Sequence, residues 1–295
     1  MNPKITVIGS INMDVVTSTD RFPDQGETVP GTDFATVPGG KGANQAVAAA
    51  RLGADVHMIG RVGDDVFGQN LREHLLNEGI HVDGVQTAEG CSTGIATILL
   101  TEGDNRIVVV PGANHELTAD DAAQYEDMMA DSDLVMLQLE IPLDTVISIA
   151  AAAKKLGTPV LLNPAPIQPL PERLLRDVTY ITPNEHELGV LLGSAGEEYR
   201  DGLLKKLIVT KGAEGVVYFV GSREAAVPGY QVEAMDTTGA GDTFNGAFAV
   251  AVSKGMSVAA ACRFGNAAAA LSVKKLGAQG GMPVTEEVRA FLNEK

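Results

Sequence analysis

The segment Asp236-Thr-Thr-Gly239-Ala240-Gly241-Asp242-Thr-Phe-Asn-Gly-Ala-Phe248 joins a carboxylate to a run of small residues just ahead of good helix formers. Small residues allow a tight turn and leave the first N–H groups of the following helix without partners. Those groups and the helix dipole suit an anion, such as a phosphoryl group in transfer. Asp242 falls in the first turn, beside the hole made by Gly239, Ala240 and Gly241. Two roles are open to it: a base for the group that receives the phosphoryl, or a plain helix cap.

A second segment, Pro38-Gly39-Gly40-Lys41-Gly42-Ala43-Asn44-Gln45, opens another helix. It is not a Walker A loop, because Ala35 holds the first-glycine position and Gly42 follows the lysine where Ser or Thr is needed. Nor is it a dinucleotide fingerprint, since Gln45 replaces the third glycine. It is either a site of close ligand approach, with Lys41 and Asn44 as donors, or a glycine-rich strand-to-helix turn. In Thr182-Pro183-Asn184-Glu185-His186-Glu187, Glu185 or Glu187 could complement a helix N-terminus. Alternatively, Asn184 and Glu187 organise a hydrated Mg²⁺, which prefers oxygen ligands and keeps waters. Glu140 ends an apolar strand and faces either a ligand crevice, accepting sugar hydroxyls, or solvent. Asn163-Pro-Ala-Pro166 reads as a turn. The histidines at 57, 74, 81, 115 and 186 show no metal spacing. Cys91 and Cys262 read as packing residues, not nucleophiles, and there is no G-x-S-x-G elbow.

These groups must be held by an alternation of strand and helix. Ile5-Thr-Val-Ile8 is a short apolar strand whose carboxyl end carries Ser10-Ile-Asn12-Met-Asp14, where open α/β sheets bind ligands. Strands are predicted at 56–59, 133–139, 159–162, 178–181, 207–210 and 216–220. Helices are predicted at 43–52, 67–78, 143–156, near 241–254, 257–274 and 285–293. Repeated β-then-α with apolar strands means a mostly parallel sheet covered on both faces. The last two strands leave no room for a helix between them and form an antiparallel edge. Residues 15–36 are punctuated by Pro23, Gly26, Pro30 and Gly31 and read as a β-ribbon. Thr93 to Pro111 holds a hairpin around Glu102-Gly103-Asp104-Asn105. The expectation is one α/β domain over 1–295 with a discontinuous β lid from about 12–36 and 93–111.

The chain has 295 residues, with 22 Lys+Arg against 38 Asp+Glu, a net charge of −16. Such an acidic chain is a poor partner for nucleic acid or an anionic membrane by bulk attraction. No apolar run reaches the ~18 residues of a membrane span. The start, Met1-Asn2-Pro3-Lys4, leads into a strand and not a signal peptide. With only two cysteines, the expected setting is a reducing cytoplasm.

Taken together, these segments resemble the ribokinase branch of the phosphofructokinase B sugar-kinase family. The resemblance runs from Val7-Ile-Gly-Ser-Ile-Asn-Met-Asp14 to Gly277-Ala-Gln-Gly-Gly-Met-Pro283, and the glycine–lysine and Asp236–Phe248 segments resemble the family's two signatures. It implies a ribokinase-like fold and ATP-dependent phosphorylation of D-ribose at O5. By the same resemblance Asn12, Met13, Asp14, Gly40, Lys41, Gly42, Ala43, Asn44, Glu140 and Asp242 surround the sugar. ATP is assigned to Asn184, Thr210-Lys211-Gly212-Ala213-Glu214-Gly215, Gly241, Asp242 and Asn266. Mg²⁺ would be held through water by Asn184 and Glu187. K⁺ is assigned to Asp236, Thr238, Ser272, Lys275 and Gly277, with Gly281 standing where some relatives offer a hydroxyl. A homodimer clasped through the lids is also implied. The connection 183–206 is shorter than the resemblance leads one to expect, and Gly193-Ser-Ala-Gly196 interrupts it. A rival reading is a related kinase for a ketose, sugar acid or nucleoside. A second is a non-catalytic sugar- or nucleotide-binding regulator, against which the intact Asp242 turn argues.

Overall fold

The computed structural model describes residues 2–101, 104–194 and 196–294. The chain opens with β1 (Lys4–Ile8), β2 (Asn12–Ser18), β3 (Asp33–Gly39) and α1 (Lys41–Arg51). Next come β4 (Asp55–Gly63), α2 (Val66–Asn77), β5 (His81–Ala88), β6 (Gly94–Thr101) and β7 (Asp104–Val110). Two short helices, α3 (Ala119–Ala123) and α4 (Glu126–Ala130), precede β8 (Leu134–Leu137), α5 (Leu143–Leu156) and β9 (Val160–Leu162). Then follow α6 (Glu172–Asp177), β10 (Tyr180–Ile181), α7 (Glu185–Ser194), α8 (Arg200–Leu204) and β11 (Ile208–Thr210). The chain finishes with β12 (Gly215–Val220), β13 (Arg223–Pro228), α9 (Ala240–Ser253), α10 (Val258–Ser272) and α11 (Thr285–Asn293).

Six strands form one parallel sheet in the order β10-β9-β8-β1-β4-β5. Side chains alternate along its strands between two cores. Ile5 and Val7 of β1, Met58 of β4, Met136 of β8 and Leu161 of β9 pack in one core, with Val47 of α1, Leu71 of α2 and Phe248 of α9. Ile8, Ile59, Val135, Leu137, Val160 and Leu162 pack in the other, with Val146 of α5 and Leu191 of α7. This two-sided burial is why the strands read as continuous apolar runs.

Parallel bridges Ile181–Leu207 and Asn184–Thr210 place β11 beside β10. From there β11, β12 and β13 form an antiparallel sheet. The short 183–206 connection therefore completes a parallel crossover with two short helices. Ala195, within Gly193–Gly196, lies outside the described residues.

A second, four-stranded sheet has the order β3-β2-β6-β7. It is built from the two predicted β inserts, joined by parallel pairing of β2 with β6. Its β3 runs to Gly39, three residues beyond the expected lid boundary, because Gly39 still pairs with Asn12. The hairpin residues Glu102 and Gly103 lie outside the described residues.

Strand order reverses at β1: β4 and β5 lie on one side, β8, β9 and β10 on the other. Ligands of open α/β sheets bind in the crevice at the carboxyl ends of the strands beside such a reversal. In this chain that crevice is walled by the segments after β1 and β8 and roofed by the start of β2.

Candidate active site

Asp242 sits in the first turn of α9 and is buried. The turn before it is made by Gly239, at φ 76°, a backbone conformation that costs little only for glycine. A Cβ at Gly239 would also lie 2.8 Å from the Ala278 carbonyl oxygen. No atom lies within 4 Å of a Cβ built on Gly241, so the turn is open on that side.

Both carboxylate oxygens of Asp242 accept hydrogen bonds from α1. Asn44 Nδ2 donates to Oδ2 at 3.0 Å and Gln45 Nε2 donates to Oδ1 at 3.0 Å. Each donor is itself held. Gln279 Nε2 donates to Asn44 Oδ1 at 2.9 Å, and Gln138 Nε2 donates to Gln45 Oε1 at 2.8 Å. Gln45 Nε2 also reaches Asn163 Oδ1 at 3.1 Å. At the outer end, His74 Nε2 and Gln279 Oε1 lie 2.6 Å apart. A buried network of this kind fixes a carboxylate's direction, and breaking it strands polar groups.

Glu140 follows β8 and is tied to the crevice floor. Its Oε2 accepts from Ser10 Oγ at 2.5 Å and from the Lys41 backbone N–H at 3.1 Å. Asp14, on β2, faces both acids. Burial, then the charges of Glu140 and Asp242, push its carboxyl up to about 7. Lys41 is the local counter-charge: Asp242 above all, then Glu140 and Glu187, raise its pKa against the opposing effect of burial. Asn12 is buried, and its Oδ1 accepts from Asn114 Nδ2 at 2.7 Å, leaving its amide N–H groups to turn elsewhere. Gly40 and Gly42 let α1 start against β1, since a Cβ at Gly40 would meet Asn12 N at 2.7 Å and one at Gly42 would meet Ser10 N at 2.6 Å.

On the other side of Gly241 lies a largely apolar cavity of about 250 Å³. Its walls include Thr210, Gly212, Ala213, Gly215, Ala240 and Asn266, with Phe244, Val273 and Tyr230. Asn266 Nδ2 donates to the carbonyls of Val227 and Pro228, so it anchors the end of β13 as well as lining the wall. Lys211 and Glu214 do not line the cavity; Lys211 Nζ lies 3.6 Å from Glu185 Oε1. Asn184 and Glu187 form a reciprocal cap on α7: Glu187 Oε2 accepts from the Asn184 backbone N–H at 2.8 Å, and Asn184 Oδ1 from that of Glu187 at 2.9 Å. Burial, opposed by the Asn184 bond and Lys41, raises the pKa of Glu187.

Asp236 ties two loops together. Its Oδ1 accepts from the Thr238 N–H at 2.9 Å and its Oδ2 from the Gly277 N–H at 2.8 Å. Burial acts against ionisation, but these bonds outweigh it and hold the carboxyl below its usual range. Gly281 is packed so closely on the Ser272 carbonyl that a Cβ there would overlap the oxygen. Lys275 is exposed.

The structure thus brings Asn12, Asp14, Gly40, Lys41, Asn44, Glu140 and Asp242 to one crevice, and most of the expected nucleotide residues to the adjoining cavity, while Met13 packs into the hydrophobic core. Sequence reading missed Asn114, took in Ser10, Gln138 and Gln279 only as parts of longer segments with no role of their own, and saw Gln45 only as a broken glycine pattern. The available signal was chemical: Asn44 and Gln45 are amides in an Ala/Val helix, and Gln138 is the one amide in an apolar strand.

The pfkB family carbohydrate kinase pattern matches residues 2–285. The ribokinase of Bacillus subtilis is 48% identical over 290 residues, covering 98% of this chain and 99% of its own. Among solved structures, the ribokinase of Thermotoga maritima superposes with a TM-score of 0.89 at 38% identity, covering 98% of this chain and 99% of that one. The Arabidopsis thaliana ribokinase complexed with ribose and ATP gives 0.88 at 34% identity, over 99% of each chain. The chain belongs to the pfkB carbohydrate kinase family. It is a phosphotransferase acting on a sugar hydroxyl.

Proposed function

We propose that this protein transfers the γ-phosphoryl group of ATP to O5 of D-ribose, giving D-ribose 5-phosphate and ADP. The observation that carries this reading is the position of Asp242. Its carboxylate is clamped by two amides between a hydroxyl-matching crevice and a cavity of nucleotide-base character. Asn12, Asp14, Lys41, Asn44 and Glu140 supply donors and acceptors for the sugar, with Gly40–Ala43 shaping the wall. Asp242 accepts the O5 proton as the oxygen attacks. Phosphoryl transfer has a loose transition state, so orientation and late proton acceptance matter more than strong basicity. The N–H groups of Gly239, Gly241 and Asp242 meet charge developing on the transferred group, while that of Ala240 donates to the Thr237 carbonyl at 3.2 Å. Thr210, Gly212, Ala213, Gly215, Gly241 and Asn266 border the nucleotide, with Asn184 near its phosphates and Lys211 and Glu214 outside the cavity wall.

Two ions belong to the reading. The oxygen atoms of Asn184 and Glu187 suit the water shell of Mg²⁺, which when bound would offset the negative charge of the phosphates. For K⁺, the proposed ligands are backbone oxygens of Asp236, Thr238, Ser272, Lys275 and Gly277, a reading supported by the Asp236 side chain tying Thr238 to Gly277. Gly281 offers no hydroxyl there, but the space a Cβ would need is already taken by the Ser272 carbonyl. The whole chain is proposed as one domain whose β2-β3-β6-β7 sheet is the lid. A homodimer through that sheet is supported by the exposure of Ile107 (53%) and Val108 (65%) on β7. Among the described residues no helix is long and apolar enough to cross a membrane, and a cytoplasmic setting fits two free cysteines.

The test is a coupled ADP-release assay with ribose, fructose and adenosine as acceptors. Ribose is expected to be used best. Preference for fructose or adenosine would overturn the substrate, and no sugar-stimulated ADP release would overturn the activity.

A further inference from the structure

The parallel ladder of β4 and β5 sets His57 directly opposite His81. The next paired residues are Ile59 and Gly84, so β5 carries one residue more than β4 and the ladder slips there. The two imidazoles stack at 4.4 Å between ring centroids, 16° from parallel. Asp55, two residues before His57 on the same strand, brings Oδ1 to 2.9 Å from His81 Nε2. One ligand atom from each of the three side chains lies within 4.8 Å of the other two. Nδ1 of His57 is buried and has no hydrogen-bond partner. A buried ring nitrogen left in this way is costly unless something else satisfies it. The cluster lies at the amino-terminal ends of β4 and β5, the opposite end of the sheet from Ser10, Glu140 and Asn163.

We propose that Asp55, His57 and His81 form a binding site for a borderline transition-metal dication such as Zn²⁺, which clamps the edge strand β5 onto β4. Two imidazoles and one carboxylate are the donor set that zinc, nickel or copper prefers; Mg²⁺ and Ca²⁺ seek oxygen. Around a tetrahedral zinc, ligand atoms about 2.0–2.1 Å from the ion sit roughly 3.3 Å from one another. The exposed His81 ring can turn about its side-chain bonds toward that spacing. A fourth position stays open to water. The electrostatics agree with this use. The pKa of His57 is lowered, by burial first and then by His81, a direction that favours the unprotonated ring a metal takes. The charges of Asp55 and Asp83 act on that ring, and the opposing charge of Lys4 is tied up by Asp131 at 2.5 Å. The motif is invisible as spacing because 24 positions separate the two histidines, and only strand pairing makes them neighbours.

The experiment is titration of the metal-free full chain with Zn²⁺, followed by calorimetry, and with Co²⁺, followed by its visible absorption. No nucleotide or sugar is added. One Zn²⁺ per chain is expected, with Co²⁺ giving the strong absorption of a four-coordinate site. An ion that binds only the folded chain also raises the thermal midpoint. His81→Ala changes an exposed side chain and is expected to weaken Zn²⁺ binding by about tenfold or more, the scale on which losing a metal-site group acts. His57→Gln should do the same, and His115→Ala should leave affinity unchanged. Retained affinity in His81→Ala, or no saturable Zn²⁺ binding to the wild-type chain, would overturn the site. Should His57→Gln fail to fold, the His81→Ala result decides alone.

Discussion

Asp242 is held by two amides, and holding and reacting can be separated by substitution. Asp242→Asn keeps the shape of the side chain but removes the proposed proton acceptor. Turnover should fall by about 10²–10⁴, the usual worth of a positioned base, with ATP and sugar binding retained. Gln45→Leu leaves the carboxylate but frees one of its oxygens, and turnover should fall about tenfold, near 1.4 kcal/mol. Steady-state kinetics on both variants, with the sugar KM of each close to wild type, is the check. Asp14 gives a pH signature. With its carboxyl raised to about 7, the unliganded folded chain holds that proton more tightly than the unfolded chain. Its contribution to stability is therefore full at low pH and lost as pH rises through about 7. A sugar hydroxyl donates best to the ionised form, so binding below that pH must expel the proton. The sugar KM should fall between about pH 6 and pH 8, and Asp14→Asn should flatten the profile. A KM that is level across that range in the wild type would remove Asp14 from the sugar contacts. Of these residues, Asp14, Asn44 and Asp242 were legible in the sequence, because they sit in short segments of unusual composition. The hydrogen-bonding roles of Gln138 and Gln279 were not, since their partners lie 93 and 235 positions away.

At the scale of elements, the start of α9 depends on Gly239. Gly239→Ala would force a side chain into a left-handed conformation, at about 1–2 kcal/mol, and into contact with Ala278. A lower thermal midpoint together with lower turnover is expected, and unchanged values for both would mean the turn is not needed in this form. The same turn is reached from below by Asp236, which ties it to the loop after α10. K⁺ should raise turnover over Na⁺ at equal ionic strength, and Asp236→Ala should abolish the difference. Equal wild-type rates in the two salts would remove the ion and leave the transfer reaction standing. Most elements could be read because two-sided burial gives apolar runs and glycines stop helices, as Gly157 does after α5 at φ 81°. Those missed lack these marks. β5 has Gly84 in mid-strand and two polar residues among its first three. β13 is mostly exposed and begins Arg-Glu-Ala-Ala. α3 and α4 are five residues each, too short to show a helical period, and the first is recognisable only by its Thr118–Asp121 capping box.

For the whole molecule, the outer strand of the proposed lid carries the main uncovered apolar edge. Ile107, Val108, Val109 and Val110 are all exposed on β7, an edge strand of the lid sheet. Bare apolar edges invite pairing with another chain. Sedimentation should find a dimer, and Val108→Asp should shift it to monomer with the fold intact by circular dichroism. A wild-type chain that stays monomeric at tens of micromolar would sink the lid-to-lid contact. The net charge of −16 was legible at once, but which of those acids converge was not, because Asp14, Glu140 and Asp242 meet only through the lid, the sheet and α9.

The clamp on Asp242 also bears on synthesis. Asn44 and Gln45 come from the first sixth of the chain, Asp242 from the last fifth, and Gln279, which steadies Asn44, from almost the end. A polypeptide leaving the ribosome makes its early β–α units first, so the sugar-facing groups of α1 emerge long before the carboxylate they aim. On the proposed reading, a nascent or prematurely terminated chain can carry much of the sugar pocket and still spend no ATP. On the same reading, the centre is complete only once the segment from Asp242 to Gln279 has joined α1, and a copy lacking that segment lacks the carboxylate proposed to receive the proton.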